Sequence, residues 1–475
     1  MMRKLSAPLL FILFISSFLA FPKPGSGQGL EKGKIVDRVV CGRDSSQSYA
    51  LFLPSEYTPE KKWPILYALD PGARGKVPLE HFQAAAEKYN YIVAGSNNAR
   101  NGPWEPVVRA IQAVWYDTNI RFSINSKRIY VTGFSGGSRA ASLFPQIINR
   151  PITGIIGCGA GLAVGIEPEK IAPAFYHGVV GIEDFNYLEM TMLDRKFDSH
   201  EVSHRILVFD GEHAWPPEDV CSRVIEWMEL MGMKRQIRPT DEDLIKEIYE
   251  EELAKAQELE ASGQLLRAVS DYEALASAFK DWLAKEDIET RIHQIRQGKE
   301  YQRLVKDESK RNEKEILHNR NFRRILDRIE KNPPPLWELN KLFIELDLYD
   351  LLDKAGKKKN INESSLAVRV LFSIEMNASR KGGTYLQKGD QERAILFLQI
   401  ATKASLPDSP RLKYRFYNLA CAYARHNSKK KALRNLKLAV ENGFYDVAHI
   451  KQDEDLESIR NTKDFQKIIE SLKEK

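Results

Sequence analysis

Between residues 35 and 232 the hydrophobic positions fall in short, nearly unbroken runs, separated by longer stretches of helical periodicity. The runs at 48–53, 63–69, 91–95, 128–134, 154–157, 178–182 and 205–209 predict strands. A run apolar at almost every position, as 63–69 is, belongs to a strand covered on both faces. Amphipathic windows at 79–89, 107–119, 139–148 and 220–231 lie between them, with apolar residues recurring every three or four positions. This alternation predicts a doubly wound, mostly parallel α/β sheet of seven strands. In such sheets chemistry gathers beyond the carboxyl ends of the strands.

After a polar linker carrying Lys234, Arg235, Gln236 and Arg238, strand signals cease and helical periodicity runs to the end of the chain. The expected fold class is therefore α/β followed by all-α, with the α/β domain at 35–232 and a helical domain at 241–475. Helix is expected over 242–261, punctuated by Gly263, with another up to Trp282. Small and apolar positions repeat: Gly382, Tyr385, Gly389, Ala394, Leu398 and Ala401, then Phe416, Leu419, Ala420, Tyr423, Ala432, Leu436 and Ala439. Ala256, Gly263, Ala268 and Tyr272 form a weaker set. Ala394 and Ala432 lie 38 residues apart, near the tetratricopeptide period of about 34. The pattern resembles a tetratricopeptide array with a capping helix at 453–469; the competing expectation is a non-repeating helical bundle. The mixed charges of 299–330, closed by Pro333-Pro334-Pro335, read as a solvated helix face, with a partner-binding surface as the sharper alternative.

The N-terminus carries Arg3 and Lys4, then an apolar run over 7–21 that is short for a bilayer span. Residues 1–27 are expected to be a secretory signal, cleaved after Ala20 or near Gly25-Ser26-Gly27. An uncleaved anchor is the alternative. The expected mature protein is exported, periplasmic or extracellular, with no membrane span remaining.

Of the 475 residues, 43% are hydrophobic and 29% charged, the composition of a globular chain. The formal net charge of +6, without a long basic run, gives nucleic-acid binding little support. Cys41, Cys158, Cys221 and Cys421 show no metal-type or Cys-x-x-Cys spacing. They leave room for one bridge among Cys41, Cys158 and Cys221, which the sequence does not place. No metal and no cofactor is expected.

The chemistry converges on Tyr130-Val131-Thr132-Gly133-Phe134-Ser135-Gly136-Gly137-Ser138. A β-branched and aromatic run ends in Gly-x-Ser-x-Gly, and small residues open a helix. That is the composition a nucleophile elbow needs, with a serine on a strained turn between glycines that remove clashing Cβ atoms. A serine nucleophile needs a base, an orienting acid and an oxyanion hole. His213 follows the last strand in Phe209-Asp210-Gly211-Glu212-His213-Ala214-Trp215 and is the candidate base. Asp184, just past the preceding strand in Gly181-Ile182-Glu183-Asp184-Phe185, is the candidate acid, with Glu183 and Asp210 nearby. The oxyanion hole is expected to pair the N–H of Gly136 with that of Gly72 or Ala73, in Leu69-Asp70-Pro71-Gly72-Ala73-Arg74-Gly75. Asp70 and Arg74 offer an alternative role for that loop, as a structural lock. The loop 97–104 should form another wall of the cleft.

Three segments carry a family resemblance: Tyr49-Ala50-Leu51-Phe52-Leu53-Pro54, Gly133-Phe134-Ser135-Gly136-Gly137 and His213-Ala214-Trp215-Pro216. Over about 36–232 the chain resembles the α/β-hydrolase superfamily, nearest to secreted esterases of the polyhydroxybutyrate-depolymerase and dienelactone-hydrolase type. The resemblance implies Ser135 as nucleophile, His213 as base, and small-molecule or polymeric ester substrates. Two departures stand out: Asp70-Pro71-Gly72 replaces the common His-Gly pair, and little room exists for a lid between Ser135 and Asp184. The cleft is expected to be open unless the second domain covers it. The leading expectation is an exported serine hydrolase of the carboxylesterase kind, with helical repeats that dock a protein partner or shape the cleft. The alternatives are peptide-bond cleavage by the same residues, and a catalytically idle scaffold whose repeats bind other proteins.

Overall fold

Eight buried or half-buried strands form one sheet in the order β1-β2-β4-β3-β5-β6-β7-β8. The computed structural model describes residues 29–282, 286–357 and 361–472, so the expected secretory signal lies outside the described residues. In chain order the elements are β1 (Ile35–Val40), β2 (Ser48–Phe52), β3 (Trp63–Leu69), α1 (Lys76–Lys88), β4 (Ile92–Ser96), α2 (Trp104–Arg121), β5 (Ile124–Phe134) and α3 (Gly136–Ile148). They continue with β6 (Gly154–Cys158), β7 (Phe175–Gly181), α4 (Tyr187–Ser199), β8 (His204–Phe209) and α5 (Glu218–Lys234). β1 and β2 pair antiparallel, as do β2 and β4; the remaining five pairings are parallel. This is an α/β-hydrolase-like arrangement.

Side chains alternate between the two faces, as strand geometry requires. Val131 and Ile155 join the layer under α2, α3 and α4, whereas Tyr130 and Ile156 join the layer under α1 and α5. The sheet exceeds the expected seven strands by β1, an edge strand with only Val39 buried. The helix α4 was also absent from the pattern, because its buried residues are only Leu188, Met190, Leu193 and Phe197 among polar neighbours.

Beyond α5 the chain is helical: α6 (Glu242–Ala261), α7 (Leu265–Phe279), α8 (Glu286–Gln297), α9 (Lys299–Lys331), α10 (Leu339–Glu345), α11 (Leu348–Gly356), α12 (Ile361–Lys388), α13 (Gln391–Ala404), α14 (Leu412–Arg425) and α15 (Lys429–Glu441). Three short helices, α16 (Val447–Gln452), α17 (Glu457–Arg460) and α18 (Lys463–Ser471), end the described chain. Small residues sit where helices touch. Ala394 and Ala401 on α13, Ala420 on α14, and Ala432 and Ala439 on α15 are fully buried. A Cβ on Gly382 would lie 2.7 Å from Leu398 Cγ, so α12 and α13 approach more closely there than an alanine allows. On α9 the buried residues are Glu315, Phe322, Ile325, Leu326 and Ile329, all from its midpoint onward.

The apolar layer beneath α5 does not stop at α5. It continues through Ile245 and Ile248 of α6, Tyr272 and Leu275 of α7, and Ile288, Ile292 and Ile295 of α8. Buried charges cross the same junction. Glu252 of α6 takes Arg205 Nη2 of β8 at 2.6 Å and Arg223 Nε of α5 at 2.7 Å. Asp271 of α7 lies 3.4 Å from Arg205 and 3.5 Å from Arg223, and the Arg205 guanidinium stands 4.1 Å over the Trp227 ring. No helix of the described residues is long and apolar enough to cross a membrane. All four cysteines are buried and free, so no bridge forms among Cys41, Cys158 and Cys221.

Candidate active site

β5 ends at Phe134 and α3 begins at Gly136, leaving Ser135 alone in the turn. Its backbone has φ 53° and ψ −116°, a region that L-residues enter only under constraint. The constraint is visible. Ser135 N–H donates to Cys158 O at 2.8 Å, and Ser135 O accepts from the N–H of Ser138 at 3.0 Å. The glycines on either side are obligatory. A Cβ on Gly133 would stand 2.1 Å from Gly137 O, and one on Gly137 would stand 1.9 Å from Leu69 O. Ser135 itself is only partly covered, and the first turn of α3 leaves unpaired N–H groups beside it.

Asp184 and His213 stand beyond the carboxyl ends of β7 and β8, on the same rim as Ser135 because β5 through β8 run parallel. His213 Nδ1 lies 2.8 Å from Asp184 Oδ2. The carboxylate is fully buried, and its other oxygen accepts the N–H of Asn186 at 2.8 Å. Asn186 Nδ2 in turn donates to Gly159 O at 2.7 Å. The loops are zipped together, with Ile182 N–H donating to Phe209 O and Glu183 N–H to Gly211 O, both at 2.9 Å. The imidazole ring is 4.5 Å from the Phe134 ring and 4.4 Å from Phe185. The structure thus brings His213 and Asp184 together and sets the imidazole beside the residue that precedes Ser135. Glu183 and Asp210, the neighbouring carboxylates, do not take the Asp184 place on Nδ1; Asp210 instead pairs with Arg267 at 2.8 Å.

The expected oxyanion donors after β3 are otherwise engaged. Gly72 N–H donates to Asp70 Oδ1 at 2.8 Å, and Ala73 N–H donates to Asp70 O at 3.0 Å. Pro71 has no N–H to offer. The loop is the structural lock raised as its alternative role. Asp70 is fully buried and holds Arg74 through Nε at 2.8 Å and Trp215 Nε1 at 2.9 Å. Burial pushes the Asp70 carboxyl up, but the hydrogen bonds from Arg74, Trp215 and Gly72 outweigh it and hold the group below its ordinary value. Gly136, the other expected donor, faces a side chain that sequence reasoning did not single out. A Cβ on Gly136 would lie 1.8 Å from Asn101 Oδ1, so the Asn101 carboxamide covers that backbone directly. Asn101 N–H donates to Pro71 O at 2.9 Å, and Gly72 and Arg100 form an isolated bridge. Around these residues lies a cleft of ≈ 210 Å³, walled by Pro71, Asn101, Trp104, Gly136 and Ala140. The 97–104 loop forms its outer side, as expected.

The helical part reaches the same rim. Phe372 of α12 stacks on Phe185 at 5.1 Å and stands 5.8 Å from the His213 ring. The rim is therefore covered where a stand-alone α/β domain would leave it open. Two clusters bring metal-ligating atoms together among the described residues: Asp194, Asp198 and His204, and Cys421, Asp453 and Asp455. His204 opens β8 at the amino end, on the rim opposite His213. Burial disfavours its charged form, but Asp194, Val202 O and Asp198 more than offset this and raise its pKa.

No protein-family model matches the chain. Among curated proteins, a chloroplastic protein from Arabidopsis thaliana is 30% identical over 95 residues, covering 20% of this chain and 28% of that protein. The chain therefore spans little more than a quarter of that relative's length. Among solved structures, S-formylglutathione hydrolase (FrmB) from Staphylococcus aureus is 13% identical, covering 42% of this chain and 98% of its own, with a TM-score of 0.33. Esterase B from Lactobacillus rhamnosis is 13% identical, covering 42% and 87%, with a TM-score of 0.34. A ferulic acid esterase from Anaeromyces mucronatus is 14% identical, covering 41% and 89%, with a TM-score of 0.32. At these scores the fold assignment rests on the strand order itself.

Proposed function

We propose that the chain is a serine hydrolase that cleaves ester substrates through an acyl-enzyme. The observation that carries this reading is the 2.8 Å contact between His213 Nδ1 and Asp184 Oδ2, on the rim where Ser135 is held at φ 53°. In this mechanism Ser135 Oγ attacks the ester carbonyl carbon while His213 Nε2 takes the hydroxyl proton. The carbonyl oxygen becomes an oxyanion. On collapse, the alkoxide leaves with the proton returned by His213, and the acyl group stays on Ser135. A water deprotonated by His213 then attacks the acyl carbon, and Ser135 recovers its proton as the acid departs. Asp184 fixes the tautomer with the proton on Nδ1 and offsets the charge of the imidazolium. Gly136 N–H supplies one oxyanion donor. With the amides of Gly72 and Ala73 engaged, the second donor is assigned to Asn101 Nδ2, which stands 3.1 Å from the position of a Gly136 Cβ, a side-chain donor acting where a backbone amide more often does.

Export and partner docking belong to the same reading. Arg3, Lys4 and the apolar run over 7–21 support a signal removed on secretion. The fully buried alanines of α13, α14 and α15 support tetratricopeptide-type pairing, for which the proposed role is docking a protein partner. A fluorophosphonate probe tests the catalytic reading. The wild-type protein labels and hydrolyses p-nitrophenyl acetate, and Ser135→Ala does neither while remaining folded. A folded wild type that refuses the probe leaves the scaffold alternative. N-terminal sequencing of secreted material tests the leader, and a mature chain that still begins at residue 1 rules out its removal.

A further inference from the structure

α12 and its neighbours touch both loops that carry the acid and the histidine. Arg369 Nη1 donates to Ile182 O at 2.7 Å, at the start of the Asp184 loop. Its other nitrogens hold Glu315 of α9 at 2.6–3.2 Å, with both side chains buried. Its guanidinium also stands 4.6 Å over the Tyr187 ring, at the far end of the same loop. Phe372, three residues on and so on the same helix face, lies against Phe185 and the His213 ring. Arg411, just before α14, backs Phe372 at 4.1 Å and lies 3.6 Å from Glu212, the residue preceding His213. Glu375, one turn beyond Phe372, takes Arg415 at 2.8 Å and lies 3.6 Å from Arg411. The contacts therefore fall before, on and after the Asp184–His213 pair, and none involves Ser135.

We propose, on the serine-hydrolase reading above, that the helical part completes the reaction centre: Phe372 and Arg369 are positioning residues that hold the Asp184 and His213 loops in working register. The physical argument is one of tolerance. Proton transfer requires the imidazole at hydrogen-bonding distance from the serine hydroxyl, and a displacement of about 1 Å in such a site lowers the rate by about a hundredfold. Loops of this length are mobile unless packed. On the α/β side the imidazole rests on Phe134 and Phe185; Phe372 supplies a third aromatic contact. Arg369 adds a directional constraint, because its guanidinium is fixed by Glu315 before it reaches Ile182 O.

The test uses the full-length chain. Phe372→Ala is expected to lower kcat for p-nitrophenyl acetate, and the rate of fluorophosphonate labelling, by about tenfold, with KM unchanged within about twofold. Phe372→Leu, which keeps apolar bulk, restores most of the rate. Arg369→Lys keeps a positive charge beside Glu315 but loses the planar reach to Ile182 O; it is expected to lower kcat by about threefold. Each variant is compared by thermal unfolding, with rates measured well below Tm. Variants that lose Tm but keep kcat assign these residues to structure alone and overturn the proposal. A rise in KM with kcat intact makes Phe372 a substrate wall and overturns it too. Should Phe372→Ala not fold, Arg369→Lys decides. Wild-type labelling that depends on Ser135, with all three variants unimpaired, sinks this inference and leaves the hydrolase reading standing. No wild-type labelling sinks both.

Discussion

Ser135 holds a backbone conformation that glycine adopts freely and serine does not, with φ 53° and ψ −116°. Such a position stores about 1–3 kcal/mol. Ser135→Gly should therefore stabilise the fold by about 1 kcal/mol, seen as a raised Tm, while abolishing hydrolysis. Asp184→Asn keeps the size of the side chain but lets the imidazole adopt the wrong tautomer, and kcat should fall by about 10⁴-fold. Asn101→Ala should lower kcat by about 10²–10³-fold with little change in KM; an unchanged kcat would remove Asn101 from the oxyanion hole. The placement of Ser135, Asp184 and His213 on one rim was legible in the sequence because each sits in a turn directly after a strand, where local composition carries the signal. Asn101 and Phe372 were not. Asn101 lies over Gly136 because that residue, 35 positions later, lacks a Cβ, and Phe372 reaches the His213 ring because α12 crosses the rim of a distant sheet. The loss of Gly72 and Ala73 as free donors has the same origin. Asp70 reads as a loop residue until Trp215, 145 positions away, is found donating to it.

The elements were read best where burial is symmetric. β3 is covered on both faces, so its sequence is apolar almost throughout. β1 exposes half of its residues and α4 buries only a thin stripe, so both escaped a reading based on hydrophobic runs. The alanines of α13 to α15 marked positions that the fold buries. The 28 residues of α12 and 33 of α9 carry the helical part to the α/β part, α12 through Arg369 and Phe372 and α9 through Glu308, which accepts from Tyr187. A backbone-to-backbone approach closes the joint where α3 meets β3. A Cβ on Gly137 would stand 1.9 Å from a backbone oxygen of Leu69, and neither partner is a flexible side-chain end. Gly137→Ala should therefore destabilise by about 3 kcal/mol in chemical denaturation, by forcing α3 off the sheet.

Across the whole molecule, the joint between α/β and helical parts is a buried ionic knot inside an apolar layer. Burial alone would raise the carboxyl of Glu252, but Arg205 and Arg223 outweigh it and hold it well below its ordinary 4.5. A depressed carboxyl contributes its full stability above that ordinary value and loses it as the pH falls toward the folded one. Glu252→Gln should thus cost about 3–5 kcal/mol at pH 7, where it leaves two buried guanidinium groups short of a partner. The gap to wild type should narrow below pH 4.5; urea unfolding at pH 7 and pH 3 checks both. The apolar layer that runs on from α5 into α6, α7 and α8 also sets a timetable for synthesis. When residue 234 leaves the ribosome, the outer side of α5 has nothing to rest on until residue 295 follows. At about 5–20 residues per second that interval lasts several seconds. A nascent chain with an unclothed helix carrying Trp227, Met228, Met231 and Met233 is a client for chaperones, and stop codons placed within that interval should yield insoluble product.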